Sequence, residues 1–271
     1  MCCDNLSQVL SAQGEVMNLN IGFVCDAGDR SKNEDKEIIL MPAMVFGVVD
    51  GMGGHLYGRE AAGIVRKTFV QLTNITEPDM VLLCSVAQEA NCNVFAKNKE
   101  KQLPDDIKMG AVATVAWVDP DNSRVFIVHA GDTRAYLFSK GGLQQVTRDD
   151  TPLAGMSEYE RIHDPRRNYV TQAFGLNQYL TVNEYTIPFE PGDVLLLCSD
   201  GMSDNILPYT IVKILDRGHS AQETARELLA AVKNSGRHNI DNVTIVIVKA
   251  LADGNARQAP TNTSSPTCCP V

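Results

Sequence analysis

Nowhere do 18 or more apolar residues run together, so no segment reads as a transmembrane helix. The opening MCCDNLSQVL lacks the basic stretch and long apolar core of a secretory signal, and the expected location is the cytoplasm. No C-x-x-C pair occurs among the eight cysteines, and a disulfide framework is not expected in a chain of 271 residues without an export signal. Cys25 and Cys198 lie in apolar, strand-like stretches and are expected to be buried; Cys2 with Cys3, and Cys268 with Cys269, read as exposed thiols. Histidine is scarce and does not cluster with cysteine, which argues against zinc. Positive charge is in deficit: 24 Lys and Arg stand against 33 Asp and Glu, a formal charge of −9. That balance argues against nucleic acid or an anionic membrane as the main partner. It does not exclude an anionic substrate, because bound cations reverse the field locally.

The length permits one large domain or two small ones, and no internal repeat is present. Residues 1–18 are expected to form an N-terminal arm, residues 19–251 the folded domain, and residues 252–271 a flexible tail rich in Ala, Asn, Thr, Ser and Pro. Within the domain, MVFGVVD, AVATVAWV, SRVFIVHA, RAYLFS, YLTVNEYTI, DVLLLCS and NVTIVIVKA read as strands. Helical spacing runs from Arg59 to Leu72, from Asp79 to about Lys97, and from Ala221 to Lys233, the last with Ser220 as N-cap and Glu223 three positions on. RVFIVHAGDTRAYLFS reads as two antiparallel strands joined by a tight turn. The strands do not alternate with helices, so the expectation is α+β, helices layered on antiparallel sheet. The polar, arginine-rich stretch from about 147 to 180 reads as a mobile flap beside the site.

One pattern recurs: an apolar strand ends, and an aspartate appears beside a glycine. Asp50-Gly51 ends FGVVDG, Asp200-Gly201 ends VLLLCSDG, and Asp132 follows Gly131 in IVHAGDTR. Asp241 opens DNVTIVIV, Asp204 follows Asp200 by four positions, and RSKNED holds Arg30, Glu34 and Asp35. A single Asp-Gly after a strand is usually only a turn. Several in one chain are better explained together. Neighbouring strand ends lie about 5 Å apart, so carboxylates gathered there must either take up protons or hold cations. An all-oxygen set selects hard ions such as Mg²⁺, Mn²⁺ or Ca²⁺.

R-x-x-NED, VVDGMGGH, GDTR, SDGMSD and DNVT occur in that order, and together they resemble the protein phosphatase 2C family in its bacterial branch, from about Ile21 to Ala250. The resemblance implies a four-layer α-β-β-α sandwich, two mostly antiparallel sheets flanked by helices. It implies hydrolysis of phosphoserine and phosphothreonine by direct attack of a hydroxide bridging two Mg²⁺ or Mn²⁺ ions, with no phosphoenzyme. Asp50 would bridge the two ions. Asp200 and Asp241 would complete the first site; the Gly51 carbonyl and Glu34 would serve the second, with Asp35 behind them. Asp132 and Asp204, sharing Asp200, match a third, weaker site, and Arg30 matches the arginine that grips the substrate phosphate. The resemblance also implies phosphoprotein substrates, a cognate Ser/Thr kinase pathway and a monomer.

The sequence departs from the eukaryotic branch at Met52, where a histidine would be a candidate general acid. His55 is nearby but need not replace it. His129 is expected to be structural. His163, with Asp164, Arg166 and Arg167, either helps bind a phosphopeptide or sits in a solvated loop, and His219 and His238 read as ordinary loop residues. GMGGHLYG has the wrong spacing for a dinucleotide loop. Two other functions are compatible with the fold: a pseudophosphatase binding module, which would normally have lost metal ligands, and a metallohydrolase of small phosphoesters.

Overall fold

The computed structural model describes residues 17–52, 57–104, 107–153 and 169–251, with Met156, Asp164 and Arg166 between the last two stretches. The expectations for residues 1–16, His55, His163, Arg167, the two terminal cysteine pairs, most of the central flap and the tail from residue 252 lie outside the described residues.

Among the described residues, ten strands form two antiparallel five-stranded sheets. One takes the order β1 (Asn18–Asp26), β10 (Val243–Leu251), β9 (Val194–Cys198), β6 (Arg134–Ser139), β7 (Gly142–Gln145). The other runs β2 (Lys36–Leu40), β3 (Val45–Met52), β4 (Gly110–Asp119), β5 (Arg124–Ala130), β8 (Asn183–Pro188). Helices α1 (Gly58–Phe69) and α2 (Met80–Glu100) cover the β3 sheet, burying Val65, Phe69, Leu83 and Val94 against Val45, Val49 and Trp117. Helices α4 (Pro208–Leu215) and α5 (Ala221–Lys233), with the single turn α3 (Asp200–Ser203) before them, cover the β9 sheet. Between the sheets, Phe46, Val48, Ile127, Leu195, Leu197 and Val246 form a third apolar layer. The result is the expected α-β-β-α sandwich. It also explains why the central strands read as unbroken apolar runs: β4 and β9 are buried at every position, because each sheet has a layer on both faces.

Successive residues point to opposite faces, and this phase decides where the polar residues land. On β3, Val45 and Val49 face the helices, whereas Phe46 and Val48 face the other sheet; Asp50 continues the inter-sheet series at the strand end. On β9, Leu195 and Leu197 face inward, and Ser199 and Asp200 follow at the same rim.

The GDT segment is not a hairpin. Strand β5 pairs with β4 and β8, and β6 pairs with β7 and β9, so residues 131–133 carry the chain from one sheet to the other. Gly131 makes the crossing with φ of 111°, in a position where an added methyl would strike the Val112 side chain. Cys25 is exposed, not buried: it lies near the end of edge strand β1, and only Cys198 of the two is in the core. No disulfide forms among the described cysteines. Met17 is buried and β1 starts at Asn18.

The capping box foreseen at Ser220 and Glu223 is present. A less obvious brace is Asn98 on α2. Its amide donates to the carbonyls of Met109 (2.8 Å) and Gly175 (3.0 Å) and accepts from the Met109 N–H at 2.9 Å. Asn98→Ala would strand three buried backbone groups and is expected to cost about 3 kcal/mol, read in a thermal melt as a drop of roughly 6–12 °C. A loss below about 1 kcal/mol would show that water or a neighbour satisfies them instead.

Candidate metal centre

The acidic residues converge on one rim of the sandwich, along a cleft of about 800 Å³. Glu34, Asp50, Asp132, Asp200, Asp204 and Asp241 all line it, with Gly51 and Arg30. Asp35 lies just beneath, fully buried. Asp50 comes from the β3 sheet, and Asp200 and Asp241 from the ends of β9 and β10 in the other sheet. Glu34, Asp35 and Asp132 sit on the two segments that cross between sheets at this rim.

The carboxyls respond to one another. Burial first, and then the charges of Asp35, Asp200, Asp132 and Asp241, push Asp50 well above the usual carboxylate range. Asp200 is raised in the same way, by burial and then by Asp132, Asp204, Asp241 and Asp35. Asp132 and Asp35 are each pushed up to about 6, chiefly by burial. Oδ1 of Asp200 and Oδ1 of Asp35 are buried without a hydrogen-bond partner. Unpartnered anionic oxygens in such a place cost several kcal/mol unless a proton or a cation meets them. Among the described residues, no three His, Cys, Asp or Glu side chains are drawn tightly enough together to form a finished cage.

The Gly51 side of the cleft is set by close backbone approach. A methyl on Gly58, at the start of α1, would lie 2.5 Å from the Gly51 carbonyl oxygen and 2.6 Å from Oε2 of Glu34. The two oxygens therefore converge on a place that only glycine leaves open. Both are hard donors, and with Asp50 next in the chain they fit a Mg²⁺- or Mn²⁺-sized ion. Arg30 reaches the opposite side, where its Nη2 donates to Oδ2 of Asp241 at 2.8 Å.

Three residues without an assigned role in the sequence reading hold this arrangement. The Asn242 side chain accepts from the Glu34 N–H (2.8 Å) and donates to the carbonyls of Ala27 and Lys32, pinning the Arg30–Glu34 segment to β10. Ser199 donates to Oδ2 of Asp35 at 2.9 Å and accepts from the Thr244 N–H. Arg134 donates two short bonds to Asp149, 3.0 and 2.7 Å, tying β6 to the start of the 147–180 segment. Each neighbours a motif aspartate in sequence or space: Ser199 precedes Asp200, Asn242 follows Asp241, and Arg134 lies two positions after Asp132. Burial of such polar side chains is the signal that would have found them.

His129 is buried, bonded to Thr114 Oγ1 (2.9 Å) and the Arg148 carbonyl (3.1 Å), with its basicity lowered mainly by burial. These bonds hold it in the interior, as expected of a structural histidine. His238 lines the cleft, whereas His219 pairs with Glu227 elsewhere. Met52 lines the cleft and offers no proton.

Comparison with known proteins gives a consistent answer. The family model of stage II sporulation protein E (SpoIIE) matches residues 42–251. The serine/threonine protein phosphatase PstP of Mycobacterium tuberculosis is 31% identical over 233 residues, 82% of this chain; the chain spans 43% of that relative's length. The serine/threonine phosphatase stp of Listeria innocua is 27% identical over 235 residues, covering 83% of this chain and 89% of its own. Among solved structures, the catalytic domain of PstP in complex with two manganese ions superposes with a TM-score of 0.75 at 28% identity, over 86% of this chain and 99% of that one. Sheet order, acidic rim and these likenesses agree: the chain belongs to the PP2C-type, or PPM, family of serine/threonine protein phosphatases.

Proposed function

We propose that this protein hydrolyses phosphoserine and phosphothreonine in proteins, with two Mg²⁺ or Mn²⁺ ions held by the acidic rim. The observation that carries the reading is the convergence of Asp50, Asp200 and Asp241 from two different sheets, with an unpartnered buried oxygen on Asp200. Asp50, Asp200 and Asp241 would hold the first ion. Asp50, Glu34 and the Gly51 carbonyl would hold the second, with Asp35 supporting them from below. Asp132 and Asp204, sharing Asp200, suit a third and weaker site. When bound, such ions lower the pKa of coordinated water and offset the charge that builds on a phosphoryl group.

The protein's own groups do the rest. Arg30 offers a planar fork to two phosphate oxygens. A dianionic phosphate competes for that fork with Asp241, its present partner. Met52 cannot protonate the leaving serine or threonine oxygen, so that proton comes from water or another side chain. Phosphoproteins as substrates imply a Ser/Thr kinase acting in the opposite direction. We place the protein in the cytoplasm as a monomer; among the described residues no helix is long and apolar enough to cross a membrane.

The test is turnover of a phosphothreonine peptide with Mn²⁺, with Mg²⁺ and with chelator. Wild type should be active with at least one ion and silent in chelator. Arg30→Ala should lower kcat/KM about 10- to 100-fold, the worth of a lost charge-assisted pair. A folded wild type that turns over nothing with either ion would favour a binding module. Turnover confined to small esters would favour a small-phosphoester hydrolase.

A further inference from the structure

We propose that the cleft reads the substrate chain as well as its phosphate: an apolar wall beside the carboxylates takes an aliphatic side chain lying within three residues of the phosphoserine or phosphothreonine. This inference rests on the phosphatase reading above. The wall lies in the same cleft as the acidic rim and is lined by Leu143, Leu153, Val170, Ile206, Leu207 and Pro208, of which Leu153 and Ile206 are mostly buried. Leu207 follows Asp204 by three residues, so their Cα atoms are at most about 11 Å apart. An extended peptide advances about 3.3 Å per residue. A side chain up to three positions from a phosphoresidue seated beside Asp204 therefore reaches the wall.

Leu207 itself is the second observation. It is 41% exposed and occupies the N-cap of α4, without a capping hydrogen bond. That position favours Ser, Thr, Asp or Asn, whose side chains satisfy the free N–H groups of the first turn. A leucine there forgoes the cap and holds apolar surface in water. Both are accounted for if a ligand covers it. The occupant's chemistry follows from the surroundings. An acidic side chain would be repelled by the seven carboxylates that line the cleft, and a basic one would be drawn off the wall towards those same carboxylates. Against the apolar wall itself either would lose hydration without gaining a partner. An aliphatic side chain loses nothing.

The experiment compares three substrates in Mn²⁺: p-nitrophenyl phosphate, a phosphothreonine peptide carrying leucine at the second position on either side, and the same peptide with glycine at both. Wild type is expected to favour the leucine peptide about tenfold in kcat/KM, the scale of one aliphatic contact in a pocket. Leu207→Ser supplies the missing cap, so the variant should melt no lower than wild type, and its leucine-to-glycine ratio should fall towards one. Equal use of both peptides by an active wild type, or a tenfold ratio retained in Leu207→Ser, would overturn the inference and leave the phosphatase reading standing. Hydrolysis of p-nitrophenyl phosphate alone, or of none of the three, would overturn both.

Discussion

Asp200→Asn is expected to lower metal-dependent kcat by about 10³-fold or more, the several kcal/mol that cation stabilisation supplies in such sites, while the protein without metal becomes no less stable. The change keeps the shape of the side chain and removes its charge. Asp200 is raised by burial and by four other carboxylates, and one of its oxygens has no partner. An amide at the same place relieves the repulsion that Asp132, Asp204, Asp241 and Asp35 impose. Activity and stability thus move in opposite directions, which separates loss of a ligand from loss of fold. The check is a pair of measurements, peptide turnover in Mn²⁺ and a melt in chelator. A variant keeping more than about a tenth of wild-type turnover would remove Asp200 from the chemistry.

Saturating Mn²⁺ or Mg²⁺ is expected to raise the melting temperature by roughly 5–10 °C. A ligand at a hundred times its Kd adds about 2.7 kcal/mol, and about 2–4 °C accompanies each kcal/mol in a domain of this size. The effect should depend on pH. Asp35 and Asp132 are pushed up to about 6 in the folded protein, against an ordinary 3.8. The folded state therefore binds their protons more tightly than the unfolded chain does. In chelator, that contribution to stability is complete below about pH 4 and is lost as pH rises through about 6. Cations compete for the same oxygens. The metal-induced shift should thus be larger near pH 7.5 than near pH 5, about two units either side of the transition at most. Melts in chelator and in Mn²⁺ at both pH values decide it, and a shift that does not change with pH would dissociate these carboxyls from cation binding.

The chemistry was more legible than the connections. Asp50, Asp132, Asp200 and Asp241 could be picked out because each interrupts or borders an apolar run, and strand ends bring such residues together whatever the strand order. The partner of a strand is not written locally. GDT has the composition of a hairpin turn, yet β5 and β6 join different sheets, because each strand pairs elsewhere with a better-matched apolar neighbour. Helix α4 escaped notice because Thr210, Ile211, Val212 and Ile214 are β-branched. Pro208 in its first turn, with Ile211, Ile214 and Leu215 buried on one side, makes it helical. Strand β2, only KEIIL, was too short to stand out. Cys25 was misjudged because apolar neighbours do not reveal that a strand lies at an edge. Asn242 and Ser199 carry no chemistry of their own, and their importance appears only as hydrogen bonds across the sheet ends.

The crossing at Gly131 and the one carrying Glu34 stitch the two sheets together at the same rim that bears the carboxylates. The sheets meet through greasy packing, which resists separation but only weakly resists sliding, since Phe46, Leu197 and Val246 have no directional bonds to one another. Charged oxygens on facing edges repel one another, and a cation shared between Asp50 and Asp200 would draw those edges together. A cation at the rim would therefore act as a clasp between two leaves, adding the directional tie that their apolar packing lacks.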